Sequence, residues 1–319
     1  MFKQSFALPA LTLSSAALFF WGGKSDSTPV APAPPSGIFP NGGSVGSGKN
    51  PNSLNIQTNN EVNPKEFFKY GFPGPVHDMA SHAEFVSVYN RQTKNPYYVV
   101  EHITPNSIKK NGNNGDRKNS VFKEDESIPE IFRAKLRDYF RSGYDRGHQA
   151  PAANAKFSQI AMDETFYLTN MSPQVGAGFN RDYWAHFEDF CRRLTGSYSN
   201  VRIVTGPLYL PKKCADGKYR VEYEVIGNPP SVAVPTHFFK LVVADKGANE
   251  VAVGAFVMPN EIIDNKTPLT EFLVPLESLE RGSGLEFMKL WKGKQKELCK
   301  EVKCEIIVRE FNNAVNGKK

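Results

Sequence analysis

The stretch Gly143-Tyr144-Asp145-Arg146-Gly147-His148-Gln149-Ala150-Pro151-Ala152 sets a histidine two residues from an arginine, with one glycine between them. An imidazole with an ordinary pKa of roughly 6.5 can accept a proton from water at neutral pH. A guanidinium offers planar, paired donors that suit phosphate oxygens. The glycine lets the backbone turn sharply and lets a bulky substrate approach. These residue types equip a loop to activate water against a phosphodiester. A plain surface loop with a mixed charge cluster would carry the same letters, so the flanking sequence decides.

Downstream, residues 165–169 read as a strand running into Asn170-Met171-Ser172-Pro173-Gln174, and Gly176 and Gly178 break it. A helix is expected over 180–194, where Tyr183, Trp184, Phe187, Phe190, Cys191 and Leu194 form one wide apolar stripe. On that stripe Trp184 and Cys191 read as core. Asn180 stands at the helix start, where asparagine is a favoured cap. Upstream, 85–89 and 97–101 read as a hairpin, 111–120 as a loop, and 131–140 as a short helix after Pro129. Beyond the long helix, 201–205, 219–226, 237–244 and 251–258 read as strands, 276–290 as a helix and 305–308 as a last strand. The alternation of strands and long helices that a doubly wound parallel sheet needs is missing, so the expectation is α+β around a mainly antiparallel sheet.

The N-terminus has a different character. Residues 6–21, FALPALTLSSAALFFW, are almost wholly apolar, and these 16 residues fall just short of the roughly 17–25 that span a bilayer. No arginine precedes Arg91, unlike an Arg-rich matrix transit peptide. A short anchor, a cleaved secretory signal and a bipartite mitochondrial sorting signal all fit. Residues 25–60 are rich in Pro, Gly and Ser and too poor in apolar side chains to fold. The expected organisation is an apolar targeting or anchor segment over 1–24, a flexible linker over 25–60 and one catalytic domain over 61–319.

The 319 residues are 40% hydrophobic and 23% charged, an ordinary globular composition, and the net charge of +6 gives mild support to a polyanionic partner. Four cysteines, Cys191, Cys214, Cys299 and Cys304, form no Cys-x-x-Cys pair, which argues against structural zinc. Cys299 and Cys304 are near enough in sequence to pair in an oxidising compartment, although charged neighbours suggest an exposed segment. His77, His82, His102 and His186 lack metal-ligand spacing, and His237, in an apolar run, reads as a core histidine.

Tyr144-Asp145-Arg146-Gly147-His148, Phe166-Tyr167-Leu168-Thr169-Asn170-Met171-Ser172-Pro173-Gln174 and Phe179-Asn180-Arg181-Asp182-Tyr183-Trp184 together resemble the DNA/RNA non-specific endonuclease family. Val204-Thr205-Gly206-Pro207-Leu208-Tyr209 and Val234-Pro235-Thr236-His237-Phe238-Phe239 add to the resemblance, which runs from about Pro64 to Glu310 and is strongest to its fungal mitochondrial endonuclease G branch. It implies a ββα-metal (His-Me finger) nuclease fold with a central, mainly antiparallel sheet flanked by helices. It also implies one Mg²⁺ or Mn²⁺ per active site, DNA and RNA as substrates and a homodimer. The implied address is mitochondrial, facing the intermembrane space with the N-terminal segment membrane-associated, and with relocation to the nucleus as a further implication.

Carried over by motif, His148 is the general base and Asn180 the metal ligand. Arg146, Asn170 and Glu188 match supporting catalytic positions, and Arg117, in Asp116-Arg117-Lys118, matches a phosphate-binding arginine. The chemistry is coherent without the name. Mg²⁺ takes only one or two protein ligands and keeps most of its waters. An amide oxygen from Asn180 meets that demand without neutralising the ion, and Glu188, two helical turns on, can hold its water. Asp145 has no assigned role beyond a structural salt bridge. The alternatives are a non-catalytic nucleic-acid-binding protein on the same fold and a secreted scavenging nuclease.

Overall fold

The nine-residue run His237–Asp245 is buried along almost its whole length, because it is a central strand with both faces covered. The computed structural model describes residues 77–109, 115–247 and 249–309. The expected targeting segment and linker lie outside those residues. No helix among the described residues is long and apolar enough to cross a membrane.

The main sheet is built from β1 (His77–Ser81), β2 (Phe85–Asn90), β3 (Asn95–Ile103), β6 (Asn200–Leu208), β7 (His237–Asp245), β8 (Glu250–Pro259) and β9 (Leu273–Val274), hydrogen-bonded in that order. Those pairings are antiparallel. An eighth strand, β10 (Lys294–Glu297), adds parallel to β8. A separate hairpin joins β4 (Tyr144–His148) to β5 (Met171–Val175). Among the described residues the α-helices are α1 (Leu136–Tyr139), α2 (Gln159–Glu164), α3 (Tyr183–Arg193), α4 (Leu276–Ser283) and α5 (Leu298–Glu301), and two two-residue ladders lie apart from the main sheet. The result is the expected α+β, mainly antiparallel architecture.

Strand periodicity divides the core in two. From β7, Phe238 and Val242 join the α3 stripe of Trp184, Phe187 and Phe190 in one cluster. Their neighbours Phe239, Leu241 and Val243 point the other way, into a cluster with Leu279 of α4. The apolar face of α3 is thus fixed against the sheet, and its other face is left for chemistry.

Several local expectations are corrected. The His148 motif is strand β4, not a loop. A Cβ at Gly147 would run into the Gln174 side chain, so the glycine serves the hairpin's packing. Residues 165–169 are not a strand. Thr165 closes α2 by donating its hydroxyl to Met162 O at 2.7 Å, and a 3₁₀ turn, Leu168–Asn170, follows. Local side-chain bonds outcompete the β-propensity there. The helix expected over 131–140 is broken because its backbone donors go elsewhere: Ala134 N to the Tyr89 hydroxyl at 3.1 Å and Leu136 N to Glu124 at 3.0 Å. Residues 219–226 hold only two-residue ladders at their ends. The helix from Leu276 stops at Ser283, where Gly284 adopts φ +70° and donates to Glu280 O. Residues 305–308 are not a strand, and Glu305 O accepts from Arg193 at 2.8 Å instead.

Candidate active site

Hairpin β4–β5, a kinked turn over Gly176–Asn180 and helix α3 follow one another as a ββα unit. This unit and the segments before it enclose a cleft of about 1090 Å³. His148, Arg146, Arg117, Asn180 and Glu188 all line it, so five of the six site residues expected from sequence converge. Seven Arg and Lys side chains line the cleft against three Asp and Glu, the balance that a polyanion requires.

Arg146 and His148 sit two apart on β4, so strand alternation turns both to one face. Two phenyl rings form the floor beneath them. The His148 ring meets Phe166 edge-on, with centroids 4.8 Å apart, and Phe122 at 5.7 Å. Arg146 lies 4.1 Å over Phe122 and Arg117 5.3 Å over Phe166. The imidazole thus lies in an apolar seat between two cations. Burial, then Arg117, then Arg146 hold its pKa well below the usual histidine value. Its Nε2 is buried, without a hydrogen-bond partner among the described residues. Burial and the two cations thus favour the neutral form of an imidazole that lines a cationic cleft.

Asn180 does not cap the helix. The N-cap is Asp182, and the Asn180 amide donates instead from Nδ2 to Asp145 Oδ2 at 2.8 Å. The same carboxylate pairs with Arg181 Nε at 3.1 Å, the salt bridge expected for Asp145. A Cβ at Gly176 would push aside the Arg181 guanidinium and crowd the Asp145 carboxylate, so glycine leaves room for that ion pair where the hairpin enters the turn. Gly178, with φ +81°, sits where a Cβ would strike Ile262. Asp145 fixes the amide by its nitrogen end and leaves Oδ1 as an acceptor with no hydrogen bond among the described residues. Further back, the Asn260 amide takes Val175 N and donates to Pro173 O and Pro235 O, holding β5 at 2.9–3.1 Å.

Asn170 is the expected site residue that the structure does not bring to the cleft. It is wholly buried, and its amide is committed to backbone: Nδ2 to Ala150 O at 2.9 Å and Thr165 O at 2.8 Å, Oδ1 from Ala150 N at 2.9 Å. Its role is to pin the chain just after His148, which makes it a positioning residue. Glu188 faces the cleft from α3. Burial raises its pKa, against the pull of Lys240, Arg192 and Arg117. Arg192, one turn beyond, also lines the cleft and escaped the sequence reading. Its Nη1 donates to Asn154 at 3.2 Å, and its spacing of four from Glu188 was the available signal.

Among the described residues no group of three or more His, Cys, Asp or Glu could cage a metal. A hard divalent ion such as Mg²⁺ takes few protein oxygens and keeps most of its waters. The oriented Oδ1 of Asn180 and the Glu188 carboxylate, on one cleft wall, are a donor set of that kind.

Residues 63–294 match the DNA/RNA non-specific endonuclease family. The chain belongs to that family. It is 66% identical over 272 residues to a mitochondrial nuclease of Saccharomyces cerevisiae, covering 83% of this chain and 82% of that protein. It is 45% identical over 223 residues to the mitochondrial endonuclease G of Homo sapiens, covering 70% and 73%. A solved EndoG, crystallised with the inhibitor EndoGI, superposes with a TM-score of 0.66 at 47% identity, covering 76% of this chain and all of that one. The chain is therefore a non-specific endonuclease with the ββα-metal fold.

Proposed function

We propose that this cleft hydrolyses phosphodiester bonds of DNA and RNA with His148 as general base. The carrying observation is His148 lining the cleft between Arg117 and Arg146, with burial and the two cations favouring its neutral form. Water attacks phosphorus as the His148 imidazole takes its proton. The bond from phosphorus to the 3′ oxygen breaks, and the leaving alcohol is protonated from solvent. Arg146, Arg117 and Arg192 hold the non-bridging oxygens, with fork geometry matched to phosphate. Asn180 Oδ1 and Glu188 would hold one Mg²⁺ or Mn²⁺, directly and through water. Bound there, the ion supplies Lewis-acid stabilisation of the charge on phosphate and leaving group. Asp145 orients Asn180, and Asn170 positions the His148 strand.

Because the recognised group is the sugar-phosphate backbone, little sequence preference follows. The test is plasmid and RNA digestion by the purified protein with Mg²⁺ or with EDTA, run beside His148→Ala and Asn180→Ala. Loss of cutting in EDTA and in both variants supports this reading, and undiminished cutting refutes it.

The proposal extends to a mitochondrial address, supported by the names of the relatives. The Cys299–Cys304 disulfide fits an oxidising compartment such as the intermembrane space. Membrane association of the N-terminal segment and a homodimer complete it, the first resting on the apolar run of residues 6–21 and the second on the family resemblance. A C-terminal fluorescent tag separates mitochondria from the secretory route, and sedimentation reads the dimer.

A further inference from the structure

Eight residues before His148, the chain makes a turn that the catalytic chemistry does not use. Ser142 N donates to Tyr139 O at 3.2 Å. Phe140 has φ −65° and ψ 119°, and Arg141 has φ +54°. These are the dihedrals of a type II turn, whose third position normally goes to glycine because it requires positive φ. Arginine there is strained, and such strain persists where it serves a site. What the turn displays is also unusual. Phe140 is 72% exposed, with the Arg141 guanidinium 5.1 Å over its ring. Both side chains line the same cleft as His148.

We propose that the Phe140–Arg141 turn is a nucleotide subsite of the cleft, which takes an unpaired base of the substrate strand on the Phe140 ring and an adjacent phosphate on Arg141. An exposed phenyl ring beside a guanidinium matches the alternation of base and phosphate along a single strand. A base stacked in a duplex has no free face to offer, so the subsite favours single-stranded DNA and RNA over duplex. Glycine would make the turn without strain but could not reach a phosphate, which accounts for arginine at this position. The inference rests on the reading of the cleft as the nuclease site.

The experiment compares wild type, Phe140→Ala, Phe140→Trp and Arg141→Gly on one oligonucleotide as single strand and as duplex, with Mg²⁺. Binding of the same labelled oligonucleotides is followed by fluorescence anisotropy in EDTA. Phe140→Ala should raise the single-strand KM and Kd roughly 5- to 150-fold, with a smaller change on duplex, and Phe140→Trp should restore both. Arg141→Gly should weaken single-strand binding while its melting temperature equals or exceeds that of wild type, since the turn is relaxed. Unchanged single-strand binding in Phe140→Ala, or equal losses on both substrates, overturns the subsite. A lowered melting temperature in Arg141→Gly, or a changed oligomeric state in either variant, reassigns the turn to structure or to a subunit contact. If wild type cleaves neither substrate, the nuclease reading fails, and the anisotropy still decides the subsite.

Discussion

At the scale of single residues, the proposed site rests on one imidazole favoured in its neutral form and one amide held by its nitrogen. Burial and two flanking arginines depress the pKa of His148, so the neutral base persists as pH falls below 6.5. The acid limb of kcat/KM should therefore lie below that value, and Arg117→Gln should move it upward. A limb at or above 6.5 in the wild type speaks against this electrostatic account. The same depression links to stability. The contribution of His148 is fully present above its unfolded pKa and is lost as pH falls toward the folded one. His148→Ala should lose roughly 10²–10⁴ in rate while keeping nucleic-acid affinity, read by single-turnover kinetics and anisotropy. Asp145→Ala removes the acceptor of Asn180 Nδ2. The Mg²⁺ concentration for half-maximal cutting should then rise roughly 10- to 100-fold. An unchanged metal requirement would show that Asp145 does not orient the amide.

At the scale of elements, the helix that carries Glu188 was readable because its apolar stripe has one period and one partner sheet. The hairpin was not. Tyr144–His148 has little β-propensity, and what makes it a strand is pairing with Met171–Val175, which only the folded chain brings alongside. The role of Asn170 was hidden for a related reason. Its partners are backbone groups of Thr165, five residues back, and of Ala150, 20 residues back, which only the folded chain brings alongside. Asn170→Ala leaves buried backbone groups unpaired, at about 1–3 kcal/mol each, so unfolding should occur at clearly lower denaturant. Activity at low temperature should survive better than in His148→Ala, and complete loss of activity in a folded Asn170→Ala would place the amide in the chemistry itself. The kinked turn over Gly176–Asn180 shows the converse: its two glycines were legible as a break, but what they make room for, the Asp145–Arg181 pair at Gly176 and Ile262 at Gly178, became clear only in the folded chain.

At the scale of the whole molecule, the fold brings together side chains from Arg117 to Arg192 and sets seven Arg and Lys against three Asp and Glu in one cleft, in a chain whose net charge is a modest +6. Composition could hint at a polyanion but could not place the charge. With Arg117, Arg146 and Arg192 each on a phosphate, log Kd for duplex DNA against log salt should have a slope of about 2.7 or more, and Arg192→Ala should lower it by about 1. A flat salt dependence would leave the cleft without its backbone contacts. The central claim is that this cleft is the hydrolytic site and that a divalent ion works with His148 there. The most direct measurement is the single-turnover cleavage rate of one radiolabelled DNA strand and one RNA strand of matching sequence, with Mg²⁺ and with EDTA, in wild type and His148→Ala. The account predicts cleavage of both strands by wild type with Mg²⁺, none in EDTA, and a rate lower by roughly 10²–10⁴ in His148→Ala. Cleavage that persists in EDTA, or at the wild-type rate without His148, would contradict it.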